Sequence, residues 1–277
     1  MKVSRTVKPL LMIAMAMVVS SAAEAHRAWM VPSSTVLSGE EPWVTVDAAV
    51  SNTLFHADHA PMRLNGLSIT SPDGSAVEAV NTHTGQYRST FDLQLKQTGT
   101  YKIAMASSGL NARWEDANGE RRMWPGRGPN AGKQTFAEAV PKNAKNLQVS
   151  YGSRRLETFV TAGEPGGKAL AATGKGLELV PVTHPNDLFA GETAQFRLLI
   201  DGEPAVGAEV VVIAGAMRYR DAQKEIKLTA DSEGQLTVTW PEAGMYWLSA
   251  SYSDNKAAAP ATKRSGSYSA TFEVLPE

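Results

Sequence analysis

Period-two alternation is the feature that most constrains this chain, because it recurs along the sequence and is broken only by turns. Tyr87, Ser89, Phe91, Leu93 and Leu95 alternate with Arg88, Thr90, Asp92, Gln94 and Lys96. Successive side chains of a strand point to opposite faces, so such a run offers one face to a core and the other to water. Phe196, Leu198 and Ile200 repeat the pattern, as do Leu236, Val238 and Trp240, then Tyr246, Leu248 and Ala250. Pro72-Asp73-Gly74, Asp201-Gly202 and Ser232-Glu233-Gly234 supply turns between runs. No segment carries a long helical stripe, and the pattern as a whole is that of an all-β protein.

A phrase occurs twice. Val36-Leu37-Ser38-Gly39-Glu40 opens one set of strands, and Thr98-Gly99-Thr100-Tyr101-Lys102-Ile103 closes it. Leu188-Phe189-Ala190-Gly191-Glu192 opens a second set, and Ala243-Gly244-Met245-Tyr246-Trp247-Leu248 closes that one. The tyrosine of each G-x-Y is expected to pack inward, with its hydroxyl held at the sandwich end. The expected architecture is two tandem β-sandwich domains of immunoglobulin or transthyretin type, at 26–162 and 177–277. Residues 163–176, rich in Gly, Ala and Pro, read as the linker between them. Residues 112–145 are polar and glycine-containing and read as a long flap within the first domain.

Residues 1–25 read as a secretory signal peptide. Lys2, Arg5 and Lys8 precede an apolar stretch from Leu10 to Val19, and Ala23-Glu24-Ala25 forms an A-x-A cleavage site. Cleavage there would make His26 the first residue of the mature chain. The chain has no cysteine, which fits a periplasmic protein of this size and removes thiolate metal sites and cysteine nucleophiles. Net charge is −1, and no basic stripe points to nucleic acid as a partner.

An N-terminal histidine can chelate a metal with its own α-amine and its own imidazole. One further imidazole completes the three-nitrogen histidine brace, a donor set that suits Cu(II). The chain has five histidines. The densest cluster is Leu54-Phe55-His56-Ala57-Asp58-His59, followed by Pro61. In a turn, His56 or His59 could converge on the metal held by His26, and Asp58 could either join as a ligand or fix the tautomer of an imidazole. A solvated polar turn is the alternative. His184, at the start of the second domain, could reach across an interface to the same site, or serve only the structure. His83 reads as a surface histidine in a hairpin.

No HExxH, G-x-S-x-G, P-loop or dinucleotide fingerprint occurs. Trp43 and Trp240 fall in strand patterns and read as core. Trp29, Trp114 and Trp124 could form a platform or lid over a site, or pin loops to a sandwich.

The opening His26-Arg27-Ala28-Trp29-Met30-Val31-Pro32-Ser33 resembles the AH-x-x-W-x-x-P start of a bacterial family of domains of unknown function, often labelled periplasmic components of nickel or cobalt uptake (NikM-like). So do Ser51-Asn52-x-Leu54-Phe55 leading to His56 and His59, the segment Gly176-Leu177-Glu178-Leu179-Val180-Pro181, and Pro241-Glu242-Ala243-Gly244-Met245-Tyr246-Trp247. The resemblance implies a periplasmic β-sandwich protein associated with transition-metal handling, sometimes alongside outer-membrane receptors.

The expected function is therefore non-enzymatic binding of copper, nickel or cobalt, with a membrane transporter or outer-membrane receptor as partner. A copper-dependent oxidative enzyme of the histidine-brace type is one alternative. A binding or adhesion module that uses the sandwiches as scaffold is another.

Overall fold

The computed structural model describes residues 26–126, 128 and 131–277; the expected signal peptide lies outside them. The protein is an all-β sandwich fold. Among the described residues its strands form three sheets, of five, ten and four strands. Where the sequence alternates, so does burial: Ser89, Phe91 and Leu93 are buried in the strand Ser89–Gln94, while Thr90, Asp92 and Gln94 face outward.

The ten-stranded sheet runs through both halves of the molecule. Its two longest strands, Gly99–Glu115 and Lys145–Ala162, pair antiparallel. The second of them pairs in parallel with the closing strand, Lys263–Val274, over Ser150–Thr158. Parallel neighbours need a long crossover, and here that crossover is the whole second sandwich.

Alternate residues of this central sheet feed different cores. Leu156, Val160 and Ala162 join Tyr101 and Ile103 beneath the five-stranded sheet, against Val44, Val46, Phe91 and Leu93. Phe159 points the other way, into a core with Phe196, Leu198, Trp240, Tyr268 and Phe272. Phe272 stacks between Phe159 and Phe196, with centroids 6.1 and 5.5 Å away. Full burial of one such side chain contributes about 1.5–3 kcal/mol.

Both G-x-Y tyrosines behave as expected. Tyr101 and Tyr246 are buried. The Tyr101 hydroxyl accepts the Gln97 amide at 2.8 Å, and the Tyr246 hydroxyl donates to the Glu242 carbonyl at 2.8 Å, each four residues upstream. The two halves thus close their sandwiches with the same tyrosine corner.

Three expectations need amendment. Trp43 is 53% exposed, because it shares a phase with Thr45 and Asp47 while Val44 and Val46 take the core face. The flap is partly strand: residues 112–115 complete Gly99–Glu115, and Arg121–Trp124 folds back on it. Residues 163–176 are pinned to the first sandwich. Lys168 donates to the Pro72 carbonyl at 2.7 Å, Ala169 is buried, and a side chain on Gly167 would lie 2.6 Å from the Pro72 oxygen.

Candidate functional site

The site is built on one end of the strand Trp43–Ser51. This strand is flanked on one side by the opening strand, Arg27–Pro32, and on the other by Ala60–Pro61. Val50 faces Ala28 across one ladder and Ala60 across the other. His26 lies just before the first flanking strand and His59 just before the second. Both side chains are therefore delivered to the same strand end from opposite sides. Their imidazoles stack with centroids 3.7 Å apart and planes 7° from parallel. Both residues are exposed.

The intervening loop is held tightly. Asp58 accepts the Asn52 amide at 2.8 Å on one carboxylate oxygen and the Thr53 amide at 3.0 Å on the other. Desolvation pushes the Asp58 carboxyl up, but the amides of Asn52 and Thr53 outweigh it and hold the group below its ordinary value. Phe55 takes a left-handed backbone, φ +60°, at the tip. Leu54 is buried beneath the loop against Trp29. The Trp29 indole donates to the Ser51 hydroxyl at 2.7 Å, which in turn donates to the Thr53 carbonyl at 2.7 Å. Trp29 therefore pins the loop and does not cover the site.

The second sandwich clamps the same region. The Trp247 indole donates to the Ala28 carbonyl at 3.0 Å, and the Arg27 guanidinium lies 5.8 Å over the Trp247 ring. Ile213 and Trp247 complete the apolar cluster of Trp29, Ala49 and Leu54. Cation–π and indole contacts thus fix the strand that carries His26.

The five candidate ligands separate into four groups. His26 and His59 are brought together. His56 turns instead toward the second sandwich, where its Nε2 lies 3.3 Å from Arg218 Nη1. Arginine only donates, so a hydrogen bond there takes His56 Nε2 as the acceptor. Asp58 is spent on the loop amides and fixes the loop, not an imidazole.

His184 is not brought to the pair at all. Its Nδ1 accepts the Asn186 amide at 3.2 Å and its Nε2 lies 2.8 Å from Thr100 Oγ1. Thr100 meets Thr161 at 3.0 Å, and the Thr161 hydroxyl donates to Asn186 Oδ1 at 2.9 Å. The Thr161 amide donates to Thr35, beyond the far end of the opening strand from His26. That strand of six residues spans about 20 Å. His184 therefore serves the junction of the two sandwiches at the opposite end. Burial pushes its imidazole below the ordinary value, against a smaller upward pull from Asp187.

Among the described residues, no three His, Asp or Glu side chains converge to hold a metal ion. A brace needs only two side chains, because its third donor is the amine that cleavage before His26 would free. The stacked rings present faces to each other, so a shared ion requires one ring to turn about χ2, a soft torsion in histidine. With that turn and a freed His26 amine, the donor set would be three nitrogens, a set that fits Cu(II) or Ni(II).

A family model described as Domain of unknown function (DUF4198) matches residues 23–254. The chain belongs to this family. The DUF4198 match takes in His26, the loop carrying His59, and the Trp247 clamp, and stops before the closing strand. No curated protein matches the chain. Among solved structures, a DUF3823 family protein from Bacteroides uniformis aligns at 11% identity and TM-score 0.25, over 91% of this chain and all of that one. The D0-D1 domain of Intimin aligns at 12% identity and TM-score 0.22, over 89% of this chain and 97% of that one. A fragment of the ICAM-5 ectodomain aligns at 11% identity and TM-score 0.22 over 91% of this chain, which spans about half, 51%, of the fragment's length.

Proposed function

We propose that this DUF4198 chain is a periplasmic transition-metal-binding protein whose mature form begins at His26. The His26 amine, the His26 imidazole and the His59 imidazole hold the ion, and an open equatorial position lets it pass to a partner. The observation that carries this reading is the stacked His26–His59 pair, exposed at one strand end on a loop that Asp58 and Trp29 lock in place. Three nitrogens favour copper, with nickel or cobalt as the uptake cargo suggested by the resemblance to NikM-like components. The ion is cargo, so the protein's task is to capture and release it. Exposure of both rings serves release, and the rigid loop limits the entropy lost on capture. A membrane transporter or outer-membrane receptor is the partner class.

Intact-mass measurement of periplasmic protein is expected to give a chain starting at His26. Titration with Cu(II) is expected to show strong loss of affinity for His26→Ala and His59→Ala, and none for His83→Ala, whose side chain is exposed on the separate strand Val80–Thr84. Equal affinity across the three variants, or a mature chain starting elsewhere, sinks the reading.

A further inference from the structure

A broad groove of about 1720 Å³ lies on the shared sheet, lined in part by Asn111, Arg154, Tyr252 and Ser265. It is made by the alternation that builds the first core. Along Gly99–Glu115, Tyr101 and Ile103 lie under the five-stranded sheet. The same face continues as Ser107, Gly109 and Asn111, which that sheet does not cover. The register then sets small polar residues abreast. Ser107 faces Arg154, Arg154 faces Ser267, and Ser267 faces Ser251. The next row has Gly109 beside Gly152, then Ser265 and Ser253.

A floor of this kind is unusual for a sheet face. The strands carry hydroxyls and bare glycine backbone where β-branched or aromatic residues would normally stand. Gly109 has a backbone any residue could adopt, and an added Cβ there would meet nothing within 4 Å. Neither strain nor crowding requires a glycine at that position.

Among the described residues, four charged side chains line the groove: Arg113, Arg154, Lys263 and Glu209. All are exposed, and among the described residues none of the three cations has a carboxylate within ion-pair distance. Arg113 is in register with Gln148 and Lys263 with Ser150. The cations are therefore strung along the strand direction over six residue steps of Lys145–Ala162, from Gln148 to Arg154, about 20 Å.

We propose that this groove binds a carboxylate-bearing polysaccharide. A ladder of hydroxyls exchanges hydrogen bonds with sugar hydroxyls, and arginine forks take carboxylates bidentately. Neutral hydrogen bonds each contribute little, so a repeating ligand suits a repeating floor. Single-stranded nucleic acid is a poorer occupant, because it binds on successive aromatic platforms. Among the described lining residues only Trp124 and Tyr252 are aromatic, and Tyr252 alternates in its strand with Ser251 and Ser253 and so does not share their face.

The test is binding of alginate oligosaccharides to the purified protein, with a neutral maltooligosaccharide and single-stranded DNA of matched length as comparators. Alginate is expected to bind at least about tenfold tighter than either comparator, as three exposed charge contacts allow. The triple variant Arg113→Ser, Arg154→Ser, Lys263→Ser is expected to lose that advantage. A charge-matched triple at Lys96, Lys175 and Lys224, outside the groove, is expected to keep it. Gly109→Tyr, which fills the groove from an uncrowded strand position, is expected to abolish alginate binding while leaving the thermal midpoint unchanged. The proposal is overturned by absence of alginate binding, by equal binding of a comparator, by equal loss in the control triple, or by a folded Gly109→Tyr protein that binds as before.

Discussion

The two ends of the opening strand both hold histidines, and the environments are opposite. At one end His26 and His59 stand in solvent, stacked on each other. At the other, His184 sits half-buried with each ring nitrogen engaged by Asn186 or Thr100. The contrast separates a histidine that can take a ligand from one that cannot. What decides is whether a nitrogen lone pair can be released at low cost. A buried imidazole whose hydrogen bonds close a network gives up several bonds to turn outward; a solvated one gives up water.

The sharpest break of this comparison is at the chain start. One residue added before His26 converts the amine to an amide and is expected to lower Cu(II) affinity by more than about 100-fold, beyond the range of indirect effects on a site. Isothermal titration of native and extended proteins reads this, and equal affinity with equal proton release excludes His26 as anchor. Next is His184→Ala, which takes one hydrogen bond from Thr100 and leaves the Asn186 amide without its partner. It is expected to destabilise the fold by about 1–3 kcal/mol in denaturant titrations and leave Cu(II) affinity unchanged. A change in affinity would mean the two ends communicate.

The third effect is on pH. His184 must be neutral to donate from Nε2 and accept at Nδ1, and its folded-state pKa is lowered from 6.5 by burial. A depressed histidine pKa means the unfolded chain binds more protons below about 6.5, so stability falls as pH drops through that value toward the folded pKa. Metal-free native protein is expected to show this acid limb, and His184→Gln to flatten it. The smallest effect belongs to Arg218→Ala. It frees the His56 nitrogen without touching the stacked pair, and Cu(II) affinity is expected to stay within about threefold, the scale of an exposed polar contact. A larger gain would bring His56 into the ligand set.

Much of this was readable from residues alone. Burial follows the alternation in Ser89–Gln94, and the two G-x-Y tyrosines were marked by their repeated phrase. His26 and His59 could be joined in thought because a turn was signalled between Leu54 and Pro61. The residues that escaped did so for physical reasons. Trp43 was assigned by hydrophobicity when its phase with Thr45 and Asp47 should have outweighed it. Of the two partners of His184, Asn186 is near in sequence but Thr100 is remote, and Thr100 is joined to Thr161 only by the pairing of the two long strands. The parallel pairing of Ser150–Thr158 with the closing strand has no local signature, since every contact in it spans more than a hundred positions.

That pairing bears on how the molecule can be divided. Phe159 and Val160 are neighbours in the chain, yet each is a keystone of a different core. Severing the chain between the sandwiches would not release two finished pieces. The second half would keep Lys263–Val274 with its outer ladder bare, and the first would keep Lys145–Ala162 in the same state. Bare, long strand edges recruit other strands. A fragment cut at residue 176 is thus a seed for aggregation, and the intact chain is its own chaperone.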